Sequence, residues 1–285
     1  MYSKPALDVS ALVSRLQSNG LSISDINVAT NSIQRIGYFR LLIYMRPFQD
    51  AAKHFTGNCD FGQILQLYEF DRELRLLCLD ALERAEVALR AAIVDSVAIK
   101  FGPHFYTDSA HYSKPEYLQQ FLTKVHAADS LALHHYKRKY KSPAEPPIWA
   151  ALEAITLGTL SKFFADLTRA NRTLIAQKFS YSEAVLVSWF RSISVFRNKC
   201  AHHNRIWNAK FTVNKPMPPH SLKNIFSSVD SFHARAIVLM CLLNDLDGTF
   251  AADWKARLQS LFTKYAGVVD PQKLGFSKND PFWSL

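Results

Sequence analysis

The segment FRNKCAHHNRIWN, Phe196 to Asn208, follows an apolar helical run, yet it carries two arginines, three asparagines and a pair of adjacent histidines. A buried helix face excludes such groups, and a solvated face is satisfied by lysine and glutamate. Arginine beside histidine suits chemistry on a phosphate. RNA is cut without metal when its 2′-OH is driven onto the adjacent phosphorus. That reaction needs a base for the hydroxyl proton, an acid for the leaving 5′-oxygen, and positive charge on the transition state. Histidine fills both proton roles because its reference pKa of about 6.5 lies near working pH. Arginine stays charged and grips phosphate oxygens in pairs. DNA lacks the nucleophile, so this chemistry selects RNA.

On a helix projected from Ser182, the side chains of Leu186, Phe190 and Ile193 share a face and Arg197 continues it. If that helix is unbroken, Arg197 and His202 lie roughly 140° apart and do not easily serve one phosphate. Two arrangements resolve this. Asn198 is a good N-cap, so a new helix starting there frees Arg197 to swing towards His202. Alternatively, the same segment of two copies meets across a two-fold axis. Either way Arg197 is an inward charge that needs an anion. The competing reading is a buried polar cluster tying helices together, and spacing alone leans towards it. Zinc fits poorly: adjacent His202 and His203 point to different sides, and Cys200 does not complete a tetrahedron. With no HExxH, glycine-rich phosphate loop, GxSxG or paired carboxylates, neither a metal nor a cofactor is expected.

The chain of 285 residues can bury a full core, and its 48% hydrophobic content indicates that it does. Its net charge of +10 points to a polyanion, with nucleic acid ahead of an anionic membrane. Cys59, Cys78, Cys200 and Cys241 include no CxxC pair, which fits reduced thiols in a cytoplasm. Neither a signal peptide nor a spanning apolar run is evident, so a soluble, cytoplasmic protein without a membrane role is expected.

The pattern is helical almost throughout. Residues 7–18 and 24–37 read as short helices around Asn19-Gly20, and IGYFRLLIYMRPF follows until Pro47 stops it. A helix-turn-helix over residues 7–37 lacks a clearly polar reading face. Residues 61–101 give the strongest helix signal, with Leu74, Leu77, Ala81, Ala85, Ala88 and Ala92 as an inward stripe. The i,i+4 pairs Asp71–Arg75, Asp80–Arg84 and Glu86–Arg90 read as a charged outer face. HHYKRKYK, His134 to Lys141, reads as a loop or frayed helix end; there Tyr136, Lys137, Arg138 and Lys139 suit phosphate contact and base stacking as well as simple solvation. Pro147 opens a helix through IWAALEAITLGTLSKFFADL, and Ser180 with Glu183 forms a capping box for the next. A last helical region covers residues 231–265, and the irregular tail packs through Phe276, Phe282 and Trp283.

RNKCAHH matches the RNxxxH signature of HEPN domains, and RNKCAHHNRIWN resembles the Abi-like family of AbiD/AbiF-type abortive-infection proteins. The resemblance runs from IGYFRLLIYMRPF through YEFDRELRLLCLDALERAEVALR and PPIWAALEAITLGTLSKFF to LGFSKNDPFW, in the family's order. It implies an all-α, HEPN-like helical bundle, with residues 1–55 as a small N-terminal helical extension and 56–285 as the main domain with its C-terminal helical segment and tail. It also implies a homodimer whose two motifs form one cleft, and a metal-independent endoribonuclease used as a toxin in phage defence. Arg197 would then bind phosphate, His202 act as general acid/base, and Asn198 position the motif. His203 and Arg205 would contact substrate or give support. The resemblance leaves room for a non-catalytic RNA-binding module or phage sensor, and for a guiding or inhibitory noncoding RNA or antitoxin partner.

Overall fold

The computed structural model describes residues 5–285, and among them no strand forms beyond three isolated bridges. The fold is all-α, as expected. Helix α1 (Val9–Ser18) is capped by Asp8 and α2 (Ile26–Ile36) by Asp25, each accepting from amides of the first turn. Gly37, at φ +93, turns the chain into α3 (Tyr38–Met45), and Pro47 reduces its end to a 3-10 turn over Arg46–Phe48. These helices are not set apart from the rest. Val13, Leu16, Ile33, Leu41 and Met45 enter the same apolar core as the long helix that follows.

That helix, α4 (Phe61–Ile93), is about 50 Å long. An Asp60–Gln63 capping box opens it. It continues through a π-helical turn, Val94–Ala98, into α5 (Ile99–Phe101), and stops at Gly102 (φ +91) before Pro103. The expected stripe is buried except at Ala88, which is half-exposed. Arg90 donates to Glu86 (2.5 Å), Glu153 (3.2 Å) and the Ile155 carbonyl (3.0 Å), so this pair ties α4 to a neighbouring connection.

Three further helices cover the distal end of α4 or lead to it: α6 (Glu116–His126), α7 (Leu131–Lys139) and α8 (Ile148–Glu153). Of the two readings of 134–141 the structure has the helix end rather than the loop: Ser130 caps α7, and Tyr140 and Lys141 leave the helix. The helix expected from Pro147 is split at Thr156, whose hydroxyl caps α9 (Leu157–Asp166). Helix α10 (Arg169–Ala176) leads to α11 (Glu183–Ala201), which packs on α4, α9, α10 and α12 (Phe232–Leu246). The expected Ser180 capping box does not form. Ser182 is the N-cap, the Ser180 amide goes to Asp245 (3.0 Å), and Glu183 is taken by Arg169 and Arg172 at 3.2 and 2.9 Å.

Every residue of α12 from Phe232 to Leu243 is buried, so this helix is core on all sides, closed outwardly by α13 (Gly248–Lys264). Asp247 divides the last helical region into these two helices. The tail packs as expected, with Phe276 and Phe282 buried against Phe262, Trp283 and His233.

His233 is fully buried, its Nε2 2.9 Å from Asp280 Oδ1 and its Nδ1 3.3 Å from Ser227 Oγ. Burial pushes the imidazole below its ordinary pKa, against the pull of Asp280. Burial pushes Asp280 up, but the Ser277 and Phe282 amides and His233 outweigh it and hold the carboxyl below the usual range. Both depressed groups take up protons more readily in the unfolded chain. The His233 contribution is complete above the unfolded histidine pKa of about 6.5 and declines as pH falls below it. That of Asp280 declines only at more acid pH. Thermal unfolding from pH 7.5 to 5.5 should therefore show a falling Tm, by about 2–4 °C for each kcal/mol lost. His233→Gln should flatten that slope whatever its effect on the absolute Tm.

Candidate functional site

Helix α11 does not break at Asn198. It runs to Ala201, with His202 as its C-cap at φ −88° and ψ 14°. The break is absent because the last carbonyls are satisfied further on. The His203 amide donates to Cys200 O (3.1 Å) and the Asn204 amide to Lys199 O (2.9 Å), while His203 takes φ +58. This is a Schellman closure with histidine at the left-handed position that glycine usually fills. His202, His203 and Asn204 are exposed, and Arg197 is half-buried with its Nη1 3.2 Å from Asn198 Oδ1. The buried polar cluster that spacing leaned towards is therefore not made by Arg197 and His202.

That cluster exists one layer deeper, and the sequence reading misses it. Asp71, expected on the outer face of α4, is completely buried. Its Oδ1 accepts from the Ile206 and Trp207 amides (3.0 and 2.6 Å), and its Oδ2 accepts from the Tyr44 hydroxyl (2.7 Å) and from Arg75. Arg75, also buried, reaches the Tyr44 oxygen at 3.2 Å. Burial pushes the Asp71 carboxyl up, while the Trp207 amide, Arg75, Tyr44 and the Ile206 amide work against it. Burial and then the charge of Asp71 raise the Tyr44 hydroxyl, which keeps it a donor. A signal was present. Leu67, Asp71, Leu74, Cys78 and Ala81 repeat at spacings of four and three, so the aspartate interrupts an apolar stripe.

Around this carboxylate the chain leaving α11 is fixed to α3. Arg40 Nη1 donates to the His203 carbonyl (2.6 Å). Arg205 donates to the Ile43 carbonyl and, through Nη2, to Asn208 O (3.3 Å), and its guanidinium lies 5.9 Å from the Trp207 ring. Burial lowers the pKa of Arg205. Arg205 therefore supports the structure. His203 does so through its backbone and leaves its imidazole to solvent.

The thiol of Cys200 is buried and its pKa is pushed up by burial and then by Asp71, so it is poorly placed to act as a thiolate. Among the described residues no group of three or more His, Cys, Asp or Glu is placed to hold a metal ion. No helix among them is long and apolar enough to cross a membrane.

The second predicted patch lies elsewhere. Helix α7 packs on α8, whose first amide donates to Pro103 O (2.8 Å) beyond the far end of α4. That is roughly 35–40 Å along α4 from Asp71, so one copy does not bring Lys137, Arg138 and Lys139 together with His202. Tyr136 is turned inward, its hydroxyl donating to Pro143 O (2.7 Å), and is not offered for base stacking. Tyr140 is the exposed tyrosine of the pair.

A family model described as Abi-like protein matches residues 31–208. The chain belongs to the Abi-like protein family. The match runs from α2 to the residue whose carbonyl Arg205 holds, and so contains Asp71, Arg75 and the whole motif segment. No curated protein and no solved structure matches the chain.

Asp71→Ala should cost about 3–5 kcal/mol in urea unfolding, since it strands a buried arginine and two amides. His202→Ala, on the surface, should stay within about 0.5 kcal/mol of wild type. His203→Gly should stabilise by about 1 kcal/mol by relieving the left-handed backbone.

Proposed function

We propose that the exposed end of α11 is half of a metal-independent endoribonuclease site, completed by a second copy of the chain and used in phage defence. The family suggests abortive infection, the shutdown of an infected cell. The observation that carries the chemistry is the pairing of Arg197 and His202 on a rigidly capped helix end, with His202 in solvent. In one copy the two leave α11 from sides roughly 140° apart and about 7.5 Å along its axis. A single phosphate is better enclosed by two such ends facing each other.

In that cleft one His202 takes the proton of the 2′-OH as its oxygen bonds to phosphorus. The His202 of the second copy gives a proton to the 5′-oxygen as the P–O5′ bond breaks, leaving a 2′,3′-cyclic phosphate and a 5′-hydroxyl. The Arg197 guanidinium groups hold the non-bridging oxygens, where negative charge builds in the transition state. Asn198, bonded to Arg197, orients that guanidinium. This reading makes the protein a homodimer acting on RNA, restrained in the uninfected cell by an RNA or protein partner.

End-labelled single-stranded RNA in excess EDTA should be cut by wild type to 2′,3′-cyclic ends. His202→Ala and Arg197→Ala should each lower the rate at least ~100-fold, the usual size of a lost proton-transfer or transition-state charge contact, while keeping the wild-type Tm. RNA binding without cleavage by any of the three would replace the nuclease with an RNA-binding module.

A further inference from the structure

An opening lies at the same end of the bundle as the motif, between α1 and α3. It is a cavity of about 650 Å³, within the range of small-molecule and nucleotide sites. Its apolar side is made by Leu12, Tyr38, Phe39 and Leu42. Phe39 is 77% exposed, with its ring edge-on to Tyr38 at 5.7 Å. A large aromatic held that far into solvent contributes little to the fold. Arg15, Arg46 and Lys53 complete the lining, and none of the described residues that line the cavity is acidic. Among the described residues no ion pair engages these three cations; Arg46 reaches only Gln49 Oε1, at 3.3 Å.

Helix α3 joins this cavity to the motif. Leu41, Tyr44 and Met45 face the core, and Tyr38, Leu42 and Arg46 face the cavity. Arg40 and the Ile43 carbonyl hold the loop that follows His202. One helix diameter, roughly 10 Å, therefore separates the cavity from the end of α11. An aromatic platform with unpaired cations and no carboxylate has the composition that single-stranded nucleic acid requires. Rings stack on any base, and guanidinium and ammonium groups follow its phosphates.

We propose that the cavity between α1 and α3 seats an unpaired nucleotide of the RNA strand that reaches His202, with its base against Phe39 and its phosphates on Arg15, Arg46 and Lys53. The proposal rests on the RNA reading of the motif and supplies the substrate contacts that α7 is too distant to provide within one copy.

The test uses the full-length chain and a fluorescein-labelled 15-nucleotide single-stranded RNA. Binding is measured with His202→Ala as the background, so that cleavage does not interfere. Phe39→Ala should weaken binding roughly tenfold, as the loss of one base–aromatic stack does. Arg46→Gln should weaken it and lower the slope of log K against log salt by about 0.7, one phosphate contact on a single strand. Both residues are exposed, so folded variants are expected, and circular dichroism checks this. With His202 restored, the same changes should raise KM and leave kcat unaltered.

Cleavage with unchanged KM in both variants would overturn the cavity and leave the nuclease standing. Weakened binding in both, with no cleavage by wild type, would support the cavity and remove the nuclease. Absence of RNA binding by any form would overturn both. Unchanged RNA binding alongside Phe39-dependent capture by anionic phosphatidylserine vesicles would assign the cavity to a lipid surface and overturn the RNA proposal.

Discussion

A buried carboxylate sets the geometry of the end of the bundle that carries the motif. Asp71 satisfies two backbone amides, a tyrosine hydroxyl and an arginine from within the apolar stripe of α4. Ile206 and Trp207 are themselves buried, so their amides would otherwise be stranded donors. No apolar side chain could accept those bonds. The chain leaving α11 must therefore pass over α4 at this point, and the turn at His203 must close tightly enough to let it. The position of His202 follows from a bond network in which His202 itself takes no part.

Much of this was legible from residue patterns, and the failures share a cause. Helix positions followed from caps and apolar spacing, as at Asp60–Gln63 and at Gly37, where a local rule determines local geometry. Asp71 and Arg75 looked like a solvated i,i+4 pair because that pattern describes two neighbours on a helix and says nothing of what covers them. Their cover comes from residues 44, 206 and 207, far away in sequence. Asn198 was given a capping role by the same local logic, yet α11 closes three residues later through amides that no side-chain preference announces. Ser180 lost its cap to Asp245, and Glu183 was drawn to two arginines of α10. In the motif itself residue types pointed to phosphate chemistry, while the left-handed turn at His203 depended on contacts made beyond the helix.

The distribution of charge over the bundle follows from the antiparallel run of α4 and α11. Cys200 and Cys78 lie near each other, while α10, at the start of α11, touches the π-helical turn. One end of the bundle thus carries the motif, α3 and the cavity beside α1, and the other carries α7 with its exposed lysines. Exposed cations stand at both ends, Arg15 and Arg46 at the first and Lys137, Arg138 and Lys139 at the second. A long polyanion could meet both, but a short one must choose.

The buried character of α12 bears on how such proteins can be built and inherited. Phe232 to Leu243 is buried on every side, and α4 and α11 rest against it. The family model's match ends before it, at residue 208. Cut there, the bundle would present to water the apolar surfaces that α12 covers. The matched stretch by itself is thus not a cassette that could be grafted onto an unrelated chain. Recombination that carries the motif into a new gene must bring this helix or supply another that can be buried on every side.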